Sequence, residues 1–230
     1  MIFKYYLENK ESKQSFSFEG EDILLSCIFK QKPRGYKGFY IDVGAYHPMR
    51  FSNTYYFYKK GWRGINIDAM PGSMKLFNKL RPEDINLEVG ISNKTEKLNY
   101  FMFNEPALNG FSEALNQKRF SNDDSYQNSK NVYKVIAEKE IQTYPLAEIL
   151  DKYLPLNKNI DFMSIDVEGL DYEVLTSNNW EKYKPEFILI EILRSNIPKI
   201  LNSDIHKYLT EKNYVFFAKT QNTVFFRYDS

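Results

Sequence analysis

Apolar side chains recur along this chain with two periods, and the alternation between them sets out the fold. Residues 21–32 place Ile23, Leu24, Leu25, Ile28 and Phe29 at helical spacing, which predicts a helix packed ahead of the first strand. Phe39 to Val43 is a short apolar run closed by Gly44, the mark of a buried strand. RGINID (Arg63 to Asp68) repeats the plan, and Pro71 and Gly72 then turn the chain into a helix with Met74, Phe77 and Leu80 on one face. Ile85 to Ser92 reads as a third strand, and Leu98 to Phe103 alternates as another. Thr143 to Leu154 resumes the helical period, with Pro145 in its first turn. Two apolar strands follow, Asp161 to Gly169 and Glu186 to Ile192. A helix is expected from Asp204, capped by that side chain, and residues 214–228 form a terminal hairpin around Gln221 and Asn222. Strands separated by helices need crossover connections, so the expected class is α/β with a mostly parallel sheet.

At 230 residues the chain is read as one domain over 1–230, with residues 1–37 as a helical lead-in. Residues 116–131 contain no aliphatic side chain and read as a mobile polar insertion or lid. Trp62 is expected to anchor the packing ahead of the second strand. Asn104, Glu105 and Asn109 are expected in a pocket wall.

Composition narrows the partners. The net charge of +1 supplies no field to draw nucleic acid or anionic lipid. No apolar run reaches the roughly 18 residues of a membrane span, and the start lacks a secretory pattern, so a soluble, cytoplasmic protein is expected. One cysteine, Cys27, excludes an internal disulfide and is read as a small core residue.

Four strands end in acids: Asp42, Asp68, Asp166 with Glu168, and Glu191. In an open parallel sheet, ligands bind beyond the carboxyl ends of the strands where strand order reverses. Gly44 allows close backbone approach, and Asp68, 26 positions after Asp42, is placed to accept from both ribose hydroxyls of a nucleoside. The turn GAYHPM holds one glycine, whereas a pyrophosphate fingerprint needs three. A nucleoside without phosphates fits better.

FYIDVGAYHPMRF, SNT, INLEVGIS, ALNGFS and FMSIDVEGLDYEVL together resemble the FkbM family of S-adenosylmethionine-dependent methyltransferases, from about Glu19 to Ile192. The resemblance implies a class I methyltransferase fold, a Rossmann-like sheet of seven strands with a C-terminal antiparallel hairpin strand and helices on both faces. It implies S-adenosylmethionine as cofactor, with Asp42, Gly44, Ala45 and Tyr46 around its methionine end. Asn53 and Thr54 would reach the carboxylate, Asp68 the ribose, and Ala69 and Met70 the adenine, with Asp166 beside the sulfonium. The acceptor it points to is a small molecule or a glycan, a sugar of a cell-surface polysaccharide such as capsule or lipopolysaccharide.

Methyl transfer to oxygen needs alignment and a base. His47, with an unperturbed pKa near 6.5, and Asp166 and Glu168 are the catalytic candidates. The same two acids with Glu191 offer hard oxygen donors to magnesium, but no dense carboxylate motif compels a metal, and none is assigned. Glu168 has a second use, capping the helix near Leu170. A nicotinamide-dependent oxidoreductase and a non-catalytic nucleoside-binding partner subunit are the alternatives, and the chain is expected to be a monomer or homodimer.

Overall fold

The computed structural model describes residues 13–112 and 133–229, so the insertion or lid expected at 116–131 lies outside the described residues. The helix Glu21–Ile28 runs through a 3-10 turn, Phe29–Gln31, towards β1 (Phe39–Val43). It buries Leu25 and, just beyond its end, sets Phe29 against Trp62 and Phe162. Cys27 lies about half a turn from Leu25 and is exposed, which corrects its core assignment.

The remaining strands are β2 (Arg63–Asp68), β3 (Ile85–Glu88), β4 (Gly90–Ile91), β5 (Glu96–Phe103), β6 (Val135–Tyr144), β7 (Phe162–Ile165), β8 (Phe187–Glu191), β9 (Tyr214–Lys219) and β10 (Thr223–Tyr228). One sheet has seven strands in the order β3-β2-β1-β7-β8-β10-β9. All pairs from β3 to β8 are parallel, and β10 runs antiparallel to both β8 and β9. This is the expected mostly parallel α/β sheet with its C-terminal antiparallel hairpin.

Side chains alternate across β1, so the sheet has two apolar faces. Phe39, Ile41 and Val43 join the core that buries the helices Leu146–Tyr153, Asp171–Thr176, Ile197–Leu201 and Asp204–Glu211 through Leu146, Leu175, Ile200 and Leu209. Tyr40 points the other way, into an aromatic cluster with Leu25, Phe29, Phe57, Trp62, Phe162 and Phe187. Each wholly buried aliphatic or phenyl group contributes about 1.5–3 kcal/mol relative to exposure, so both layers hold the sheet in place.

Three expectations are corrected. Ile85 to Ser92 is not one strand: the chain leaves the large sheet after Glu88, and Gly90–Ile91 joins a second sheet in the order β4-β6-β5. A side chain at Gly90 would stand 2.8 Å from both Phe111 and Thr143, so glycine permits that close approach. The strand at Leu98–Phe103 belongs to this second sheet, antiparallel to β6, a strand absent from the sequence reading because Glu138, Lys139 and Glu140 interrupt its apolar alternation. The cap of the helix Asp204–Glu211 is Ser203, whose Oγ accepts from the His206 N–H at 3.1 Å, while Asp204 sits in the first turn. Among the described residues no helix is long and apolar enough to cross a membrane.

Candidate functional site

Strand order reverses between β1 and β7, and a cavity of about 560 Å³ opens beyond their carboxyl ends. The ladder continues past the strands and shapes its floor. The N–H groups of Gly44 and Ala45 donate to the carbonyl of Ile67 at 2.9 and 3.0 Å, and that of Asp166 to the carbonyl of Val43 at 3.0 Å. Gly44 has φ +83°, and a Cβ there would lie 1.7 Å from the Asp166 carbonyl oxygen. Only glycine meets both demands.

Two residues on, Tyr46 takes a left-handed conformation (φ +53°) and its N–H donates to Asp68 Oδ2 at 2.7 Å. Met70 N–H donates to Oδ1, also at 2.7 Å. A carboxylate has about four acceptor positions, so the two fixed bonds leave others facing the cavity. Burial, reinforced by the charges of Asp42 and Glu88, raises Asp68 to a pKa of about 6 despite these two donors. Behind it, Ile67, Ala69, Met70, Ile91, Tyr100 and Phe111 make an apolar slot, the last two rings meeting edge to face at 4.8 Å.

Asp166, Glu168 and Glu191 stand together across the cavity, each with a carboxylate oxygen within 4.8 Å of the others. Burial on the cavity floor, then the charges of Glu191, Glu168, Asp171 and Asp42, push Asp166 well above the usual carboxylate range. Its side chain opens onto the cavity, so water relieves part of the burial effect, while the repulsion among close acids persists. Such a cluster accommodates a proton, an organic cation or a divalent metal. Asp171, rather than Glu168, organises the next helix: its carboxylate accepts from the N–H groups of Val167 at 3.2 Å and Gly169 at 3.1 Å. Burial raises its pKa to about 6, with Glu168 adding to the rise and the two donors opposing it.

Asn53 lines the cavity and donates to Ser164 Oγ of β7 at 3.0 Å. Asp42, Ala45, Thr54 and His47 do not line it. Asp42 is buried and accepts from Thr54 Oγ1 at 2.7 Å; Thr54 Oγ1 in turn accepts from Arg81 Nη1 at 3.0 Å. Arg81 and Asp84 are both fully buried and paired at 2.8 Å, with Tyr40, Gly64 and Asn66 also bonded to Asp84. Asp42 and Thr54, expected at the methionine end, thus lie behind the cavity wall and brace the loop that presents Asn53. Ala45 packs on Met74 and Phe77 instead.

His47, expected to face the acceptor, is placed in a turn outside the cavity lining. Its Nδ1 accepts from the N–H groups of Met49 and Arg50 at 3.0 and 2.9 Å, and burial with the nearby Arg50 charge lowers its pKa. It braces a turn, stands neutral at pH 7, and does not line the cavity.

The mouth is aromatic and acidic. Phe18 and Phe51 meet edge to face at 4.9 Å, and Arg50 lies over Phe51 at 4.3 Å while donating to the Tyr46 hydroxyl at 2.6 Å. Glu105 and Asn109 line the wall as expected, whereas Asn104 does not. Counted over the lining, Glu19, Glu21, Asp68, Glu105, Asp166, Glu168 and Glu191 face Arg50 and Arg194. Tyr100, Phe111, Phe18 and the Arg81–Asp84 pair escaped the sequence reading. The aromatic residues are not distinguishable from the chain's many others by position alone, and no motif marks Arg81 and Asp84 as buried.

Residues 42–216 match the methyltransferase FkbM domain. No curated protein matches the sequence significantly. Among solved structures, a methyltransferase FkbM from Methylobacillus flagellatus KT superposes with a TM-score of 0.48 at 12% identity, over 84% of this chain and 44% of that one. The present chain thus spans less than half of that protein's length.

Proposed function

Since the chain belongs to the FkbM methyltransferase family, we propose that it moves a methyl group from S-adenosylmethionine to a hydroxyl of a small-molecule or glycan acceptor, a sugar being the acceptor its sequence points to. One observation supports this above the rest. Asp68, its two oxygens fixed by the N–H groups of Tyr46 and Met70, faces the same cavity as the Asp166 cluster, with the backbone of Gly44 in the lining of that cavity. Such a cavity suits a nucleoside at one end and a positive centre at the other.

When bound, S-adenosylmethionine supplies an electrophilic methyl group on a positively charged sulfur. Asp68 would accept from the ribose hydroxyls, and the slot of Ala69, Met70, Ile91, Tyr100 and Phe111 would enclose the adenine. Gly44, Tyr46 and Asn53 would border the amino-acid tail. Asp166 and Glu168 would face the sulfonium, and one of them would take the proton that the acceptor hydroxyl loses as its oxygen bonds to the methyl carbon and the carbon–sulfur bond breaks, leaving S-adenosylhomocysteine. A cationic cofactor and a shared proton balance these acids without a metal in the scheme.

Calorimetric titration tests the reading. S-adenosylhomocysteine should bind with one site per chain and NAD should not. Binding of NAD in preference would replace methyl transfer by hydride transfer.

A further inference from the structure

Resting on the methyl-transfer reading, we infer that the acceptor enters this site as an uncharged or cationic ring compound, free of phosphate, sulfate and carboxylate groups, and lies against the Phe18–Phe51 pair. Two independent features point there.

The first is charge. The described lining sets seven carboxylates against two guanidinium groups, and one proton shared by the Asp166 cluster with the single net positive charge of bound S-adenosylmethionine still leaves an excess of three negative charges. Arg50 is already committed, stacked on Phe51 and bonded to the Tyr46 hydroxyl, with Glu105 3.5 Å away. No lysine lines the cavity among the described residues. An anionic acceptor would lose its hydration and meet repulsion rather than the forked or clustered cations that recognise phosphates and carboxylates. A neutral polyol or an amine meets acceptors for its hydroxyl and ammonium hydrogens.

The second is the apolar platform. Phe18 is 70% exposed and Phe51 38% exposed, although both border the cavity, and Phe51 is held outward by a left-handed backbone (φ +56°) that bulky residues seldom adopt. Tyr46 lies nearly parallel to Phe51 at 6.3 Å, extending the surface inward. Exposed apolar patches at a cavity mouth mark ligand contact, and a ring with one apolar face covers such a patch.

The test uses the full chain and matched acceptors: methyl hexopyranosides and hexosamines against the same sugars as 6-phosphates, uronates and uridine-diphosphate conjugates, with methyl transfer followed by S-adenosylhomocysteine release. Transfer to the neutral or amino forms, with kcat/KM about 100-fold below that value for any anionic partner, is expected. Phe18→Ala should raise the acceptor KM about 10-fold with kcat nearly unchanged. Equal or preferred turnover of the anionic forms overturns the inference. Binding of S-adenosylhomocysteine without methylation of any acceptor also overturns it, while leaving the cofactor reading in place. Failure to bind S-adenosylhomocysteine defeats that underlying reading instead.

Discussion

The backbone N–H of Tyr46 donates to Oδ2 of Asp68 at 2.7 Å, so the loop after β1 is tied to the acid that ends β2. The contact explains why Tyr46 keeps a left-handed conformation: its N–H is aimed at a carboxylate that also faces the cavity. A ligand on Asp68 and the path of the loop are consequently coupled.

Cofactor affinity should depend on the charge of Asp68. With its pKa raised to about 6, the group is a full acceptor only above that pH, and ribose hydroxyls favour the charged form. Affinity for S-adenosylhomocysteine should fall by up to about tenfold per pH unit below 6, with proton release on binding near pH 6. Calorimetry in buffers of different ionisation enthalpy measures both, and a pH-independent affinity would remove Asp68 from the site.

Gly44→Ala should be far more damaging than Gly35→Ala. Both glycines have positive φ, but a Cβ at Gly35 meets nothing within 4 Å, whereas at Gly44 it meets the Asp166 carbonyl at 1.7 Å. Urea denaturation should show a loss of about 1 kcal/mol for Gly35→Ala, the backbone cost alone, and several times that for Gly44→Ala. Equal losses would mean the two loops can separate at no cost.

Arg81→Ala should destabilise by about 3–5 kcal/mol, because it strands the fully buried Asp84. It should also loosen Thr54 and Asp42, and with them Asn53, so that the more stable part of any variant population binds S-adenosylhomocysteine weakly. Wild-type stability in a denaturant titration would show that water replaces the guanidinium without loss.

How much of this was legible in the sequence differs between the two sheets. β1, β2, β7 and β8 announce themselves because a strand buried on both faces is an unbroken apolar run, and their acids fall where the sheet rule places ligands. Asp68 and Asp166 were placed at the crevice this way, and both line the cavity. β6 was hidden because a sheet with one wet face carries polar residues such as Glu138 and Lys139 in its middle. Asp42 and Thr54 have the right spacing but turn into the protein, and His47 turns back onto its own loop, distinctions of side-chain direction that spacing does not record. Arg81 was illegible for the opposite reason: with Asp84 three positions on it reads as an exposed helix-end ion pair, until Thr54 and Tyr40, 27 and 41 positions away, are seen closing around it.

Ligand-free stability should be greater near pH 5 than near pH 7.5. Asp68 and Asp171 have folded-state pKa values of about 6, above the 3.8 of an unperturbed carboxyl. The folded state thus binds more protons between these values, and the stability each group adds is complete below about 3.8 and lost as pH rises through 6. The slope is at most about 1.4 kcal/mol per pH unit for each group. His47, held below 6.5 by burial and the Arg50 charge, opposes this within the same window, but as one partly exposed group against two buried acids; Glu19 opposes it only at lower pH, since hydrogen bonds from Asn222, Thr220 and Thr223 outweigh its burial. Thermal unfolding across pH 5–8 checks the sign. A rise in stability towards pH 7.5 would contradict it.

His47→Ala should lower stability by about 1 kcal/mol through loss of the turn's acceptor, and leave kcat within a few-fold of the parent. Steady-state kinetics with a competent acceptor decides, and a loss of a hundredfold or more would restore His47 as the base.

The most direct test is a crystal structure of the chain with S-adenosylhomocysteine. The ribose hydroxyls should lie within hydrogen-bond distance of Asp68, with the adenine between Met70 and Tyr100 and the sulfur facing Asp166. Density for the ligand anywhere else, with Asp68 still bonded only to Tyr46 and Met70, would contradict the account.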